Sequence, residues 1–132
     1  MAVVHRTPGV QRFKHRKTFA ARKEESALIR SKYPQKVPVI VERYPEERYL
    51  HSLDKTKFLV PQDVIISHFS TIIRNRLAVS PTQVFYLVVK NRSVSNMCAT
   101  IAQLDQEFRD SDGFLYISYA SHEMFGASWS GS

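Results

Sequence analysis

The apolar positions change period several times along the chain, and each change marks an element. Val37, Val39 and Val41 alternate with Pro38, Ile40 and Glu42, which predicts a strand over 37–42; a proline inside it signals an edge or a bulge. After a polar connection, residues 55–60 predict a second strand, short and lysine-bearing, as exposed edge strands often are. Pro61 then opens a predicted helix over 62–77. Ile66, Phe69, Ile73 and Leu77 form a stripe suited to a core, while Ile65, Phe69, Ile72 and Arg76 form one able to line a groove. Ser80-Pro81 breaks that helix before an uninterrupted run over 84–89, which predicts a central strand buried on both faces. The rest predicts a loop over 91–100, a helix over 101–108, a turn over 110–113 and a last strand over 114–119. Upstream, a short basic helix over 10–17 precedes a second one that Thr18 caps and Tyr33-Pro34 ends after about residue 31.

From Val37 onward the order is strand, strand, helix, strand, short helix, strand, preceded by two helices. The 132 residues suit one α+β domain. Composition is that of a globular protein, with 43% hydrophobic and 23% charged residues, so disorder is expected only at the ends. No apolar run reaches the roughly 20 residues that cross a bilayer, and the N-terminal residues lack a signal-peptide core. A single cysteine, Cys98, makes no internal disulfide, which points to a reducing compartment. The net charge of +7 is concentrated between Arg12 and Lys23, where six basic residues and His15 lie with no acid. Such a block favours acidic partners such as tubulin tails, anionic lipid or nucleic acid; a solvated helix face is the plain alternative.

Catalysis finds little footing. His5, His15, His51, His68 and His122 are scattered without ligand spacing or a triad, and no glycine-rich phosphate loop exists. We therefore expect no enzyme, no metal and no cofactor. RNA readers need aromatics on an open sheet face. Here Phe85, Tyr86, Tyr116 and Tyr119 lie in runs that read as buried, leaving nonspecific electrostatic binding to RNA or microtubules as the competing function.

Several segments agree in order and spacing with one known family: Phe13-Lys-His-Arg-Lys-Thr-Phe19, Lys36-Val-Pro-Val-Ile-Val-Glu-Arg-Tyr44, Leu53-Asp-Lys-Thr-Lys-Phe-Leu-Val-Pro61, Asp112-Gly-Phe-Leu-Tyr116 and Phe125-Gly126. Over residues 10 to 126 the chain resembles the autophagy ubiquitin-like modifiers, and within them the light-chain-three branch rather than the GABARAP branch. The fold this resemblance implies is the ubiquitin-like β-grasp with two added N-terminal helices, which agrees with the element order. It also implies a division into a lead-in (1–9), the ubiquitin-like domain with its helical extension (10–120), a conjugation tail (121–126) and a removable propeptide (127–132).

The implied chemistry belongs to other proteins. A cysteine protease would cut the Gly126–Ala127 bond, and activating and conjugating enzymes would pass the Gly126 carboxyl to the amine of phosphatidylethanolamine, the covalent modification. The monomeric, cytoplasmic precursor would then sit on the autophagosome membrane, with microtubules as a second location. Glycine suits this end because a tail without a β-carbon enters a narrow channel, and Phe125 offers an apolar anchor. The resemblance further implies docking of autophagy receptors through aromatic-x-x-aliphatic motifs. Carried over position by position, Glu25, Ile29, Pro38, Ile40, Lys57, Leu59 and Phe114 would form an aromatic pocket. Phe58, Val60, Pro61, Phe69, Ile72 and Arg76 would form an aliphatic one, and Arg16, Lys17 and Lys55 would meet acidic residues flanking the motif. Ordinary core packing competes as an explanation for each apolar member, Ile40 and Phe114 above all. Glu25 departs from the family, where aspartate is common, and nothing carries over for residues 1–9 or 90–100.

Overall fold

The structure is a computed structural model, described here for residues 12–122 and for the backbone of 128–129. A mixed sheet carries the strands in the order β2-β1-β5-β3-β4-β6. These are β1 (Lys36–Arg43), β2 (Lys57–Pro61), β3 (Tyr86–Val89), β4 (Arg92–Val94), β5 (Leu115–Ala120) and β6 (Ser128–Trp129). β1 and β5 run parallel at its centre, with β2 antiparallel to β1 and β3 antiparallel to both β5 and β4. Helices α3 (Ile66–Leu77) and α4 (Ile101–Phe108) bury their apolar stripes against one face, where Val37, Val39, Val41, Leu87, Leu115 and Ile117 meet Ile66, Phe69, Ile73 and Leu104. Ile40, at the alternate position of β1, faces the other way and packs with Phe13 and Phe114 in a small second core.

α1 (Phe13–Arg16) and α2 (Phe19–Lys32) lie on that second face. Thr18 caps α2 as expected, its hydroxyl accepting from the Ala21 amide at 3.1 Å. The buried residues of α2 are Arg22 and Ser26, so polar contacts fasten the helix. Arg22 donates to the Asp112 carboxylate at 2.5 Å, Ser26 Oγ donates to the Asp112 carbonyl, and Arg30 donates to both Asp105 oxygens and to the Gly113 carbonyl. Asp112 is fully buried and also accepts from the Tyr116 hydroxyl and the Phe114 amide, so its charge is met on several sides. Burial first, and then the bond to Asp112, push the Tyr116 phenol well above its ordinary pKa.

Several expectations need correcting. The helix opened by Pro61 begins later, at Ile66, because the backbone of 62–65 serves α4: the carbonyls of Val64 and Gln62 accept from the Ile101 and Ala102 amides. α3 has no side-chain cap, and the Ala99 and Met97 carbonyls accept its Ile66 and Ser67 amides. Pro38 sits neither on an edge strand nor at a bulge. It is tolerated in β1 because the ladder with β5 starts only at Val39, leaving a paired neighbour on the β2 side alone. The loop expected over 91–100 contains β4, joined to β3 through Lys90 and Asn91, both at positive φ (49° and 64°) as a tight primed hairpin turn demands. α1 is shorter than expected, and β2 starts two residues later. A further strand, β6, pairs parallel with β4 within residues 127–132.

Candidate functional site

β2 closes one end of the sheet, paired with β1 and with no other strand among the described residues. Its side chains alternate: Phe58 and Val60 turn into the main core, while Leu59 and Pro61 are exposed and Lys57 is half-buried. The register sets Leu59 opposite Pro38 and Lys57 opposite Ile40, so these four share the face that carries α1 and α2. Backbone hydrogen-bonding capacity along the outer side of β2 is what an incoming strand would use.

Two apolar floors flank this edge. The first consists of Ile40 and Phe114, both 0% exposed and covered by Phe13, whose ring meets Phe114 edge-on at 5.2 Å. Half-buried Ile29 packs beside them. Ile40 and Phe114 are thus a floor under Phe13 rather than open pocket walls. Phe13 stands in a family-like segment but not among the expected site residues; an aromatic residue inside a basic block was the available signal. Three cations gather on its ring, with Arg16, Lys17 and Lys57 at 5.4, 5.8 and 5.5 Å from the centroid. Glu25 bridges Lys17, at 2.8 Å, and Lys57. Burial pushes the Glu25 carboxyl up, but hydrogen bonds from the two lysines and their charges more than offset this and hold it below the usual carboxylate range. Glu25 therefore stays an acceptor at neutral pH beside the first floor.

The second floor is Phe58, Val60 and Phe69, with the rings of Phe58 and Phe69 edge-to-face at 6.0 Å. These three belong to the main core, and Pro61, Ile72 and Arg76 supply the exposed rim. Arg76 and Lys55 lie 5.2 and 5.1 Å from the Phe58 centroid. Exposed Ile65 adds apolar surface at the start of α3. The arrangement sets exposed Leu59, Pro61, Ile65 and Ile72 and several cations beside a strand edge.

Much of the basic block expected to meet acidic partners or solvent is paired within the fold. Arg12, Lys14, Lys17 and Arg22, four of its six cations, pair with Glu42, Asp110, Glu25 and Asp112. No cluster of metal-ligating side chains occurs among the described residues, and no described helix is long and apolar enough to cross a membrane. Phe125, Gly126 and Ala127 lie outside the described residues.

A family profile described as "Autophagy protein Atg8 ubiquitin like" matches residues 21–126. The chain belongs to the Atg8 family. Among Atg8 relatives it is 52% identical to human "Microtubule-associated protein 1 light chain 3 gamma" over 119 residues, covering 90% of this chain and 81% of that protein. It is 41% identical to "Protein lgg-2" of Caenorhabditis elegans, covering 89% of this chain and 90% of the relative. "Autophagy-related protein 8d" of Arabidopsis thaliana is 38% identical, with 89% and 96% covered. These likenesses place this Atg8 protein in the light-chain-three branch and make it a ubiquitin-like modifier of autophagy.

Proposed function

We propose that this Atg8 protein is cut after Gly126, joined through the freed carboxyl to phosphatidylethanolamine, and then docks receptor motifs along β2. The observation that carries the docking half is an edge strand with cation-ringed apolar floors on either side. A motif adds as a strand to β2, its aromatic residue near Ile29, Leu59 and Glu25, its aliphatic residue near Pro61 and Ile72. Acidic flanks meet Arg16, Lys17 and Lys55. A contact of this size supports roughly micromolar affinity, about −8 kcal/mol.

The conjugation half is supported by the family match, which runs to Gly126 and leaves Ala127 onward outside. Hydrolysis of the Gly126–Ala127 bond gives a glycine carboxylate. An activating enzyme joins it to ATP as an acyl adenylate with release of pyrophosphate and takes it as a thioester with release of AMP. A conjugating enzyme passes the acyl group to the lipid amine with release of its thiol. Two acyl chains, at about 0.8 kcal/mol per buried methylene, then anchor the protein without a membrane-spanning helix. The cytoplasmic pool would thereby pass to autophagosome membranes. Association with microtubules, suggested by a relative's name, would rest on Arg16 and Lys23 together with exposed parts of the paired cations.

Intact mass of the protein from starved cells tests conjugation: the expected result is loss of residues 127–132 and a lipid-sized gain on part of the pool. Gly126→Ala abolishes both; a variant that still gains lipid overturns the assignment. For docking, Lys57→Ala with Leu59→Ala should weaken an acid-flanked receptor peptide about tenfold while processing continues. An unchanged titration curve overturns the groove.

A further inference from the structure

A cavity of about 330 Å³ lies beside α1, between the segment that follows β1 and the turn joining β3 to β4. Its apolar lining is Val88, Phe108 and the ring of Tyr116, with Val88 and Phe108 only 2% and 8% exposed. Tyr116 also packs with Phe13, their ring centroids 6.4 Å apart. Phe13, Glu25 and Lys57 take no part in the lining, so the cavity is separate from the groove at β2.

Three cations line it, and two of them are already balanced. Lys14 pairs at 2.8 Å with Asp110, which shares the lining. Burial pushes the Asp110 carboxyl up, but the hydrogen bonds from Lys14 and the Asp112 amide outweigh it and hold it below the usual range, so the pair is neutral in sum. Arg12 faces Glu42 at 3.5 Å. Lys90 makes no hydrogen bond or ion pair with any described residue. It sits at φ 49°, a conformation that asparagine or glycine adopts more cheaply. The Ser118 hydroxyl and Asn91 Nδ2 also lack partners among the described residues, since Asn91 uses only its Oδ1, toward Tyr44. An anion seated here meets one unbalanced charge and two spare neutral donors.

We propose that this cavity binds a small ring-bearing monocarboxylate, its ring against Val88, Phe108 and Tyr116 and its carboxylate on Lys90, Asn91 and Ser118. The volume, that of roughly eleven waters, is at the low end for ligand pockets and admits a single ring with one substituent. Aromatic walls favour a ring over a flexible chain. One negative charge matches the one lysine that no carboxylate balances.

Benzoate, benzamide and acetate are the probes, titrated into the full chain and followed through amide shifts in two-dimensional NMR. Benzoate should shift Val88, Lys90, Asn91 and Ser118 and half-saturate at about 1 mM. Benzamide keeps the ring without the charge and acetate keeps the charge without the ring, so each should bind at least about fivefold more weakly. Either of them binding as tightly as benzoate overturns the proposal, as does a lack of saturable shifts at those four residues. Lys90→Asn keeps a residue suited to positive φ and should weaken benzoate about fivefold. Lys32→Ala, the same loss of charge at an exposed position of α2, should change binding by less than about twofold. Equal losses in the two variants mean general attraction to a basic surface and overturn the site.

Discussion

Gly113 sits in the turn before β5 at φ +93°, and a β-carbon there would lie 2.1 Å from Ser26 Oγ and 2.9 Å from Ser26 Cβ. Gly113→Ala therefore meets two separate costs. Holding a non-glycine residue at that φ costs about 1–2 kcal/mol. Clearing the contact also breaks the bond from Ser26 Oγ to the Asp112 carbonyl, which is worth about 1 kcal/mol. The sum, about 2–3 kcal/mol, corresponds to a fall in Tm of about 10 °C for a domain of this size. Thermal unfolding followed by circular dichroism reads it directly. A double-mutant cycle separates the costs: Ser26→Gly removes the obstructing side chain, so the double variant should recover about 1 kcal/mol relative to additivity. A Gly113→Ala midpoint within about 2 °C of wild type refutes the steric and conformational reasoning. Additivity within about 0.3–0.5 kcal/mol refutes the contact with Ser26.

Glu47 gives a pH signature. It is 4% exposed, and although burial pushes its pKa up, the Ser121 amide and hydroxyl and the Leu50 and Tyr49 amides hold it below the usual range. A depressed folded pKa contributes stability above the unfolded value of about 4.3 and loses it as pH falls through the folded value. Glu47→Gln should therefore cost about 1–3 kcal/mol at pH 7 in denaturant titrations, with a gap that narrows below about pH 4; a gap independent of pH would refute this. For the groove, raising salt from about 0.05 to 0.5 M should weaken acid-flanked peptides severalfold by calorimetry and barely touch neutral-flanked ones. Equal salt slopes would remove Arg16, Lys17 and Lys55 from recognition.

What the sequence disclosed follows from how local each signal is. The alternation of Val37, Val39 and Val41 and the spacing of Ile66, Phe69, Ile73 and Leu77 identify core faces directly, since burial imposes those periods. Thr100 and Gln103 form a reciprocal capping box, and α4 covers the same eight residues in expectation and structure. β4 was hidden because its turn uses Lys90 ahead of Asn91, a residue with no turn signature, and because a three-residue strand has no period to detect. β6 was hidden for a related reason: pairing of two residues is decided by the partner strand. At the site, pattern and resemblance named residues that the fold brings to both sides of β2. They could not distinguish a floor from a wall, because whether Ile40 and Phe114 are open depends on Phe13, distant in sequence.

The clamp of Glu47 on Ser121 fixes where the C-terminal tail leaves the domain. Gly126 lies five residue steps beyond Ser121, so that length of chain spans at most about 17 Å. β2 lies two strand spacings from β5, about 10 Å across the sheet. If Gly126 is lipidated as proposed, that leash would hold the proposed groove within a few nanometres of the bilayer, roughly the scale of the domain itself. On the proposed function, motif-bearing receptors would then meet the protein as a crowded two-dimensional layer, and several weak contacts made side by side would hold cargo that one micromolar contact would release.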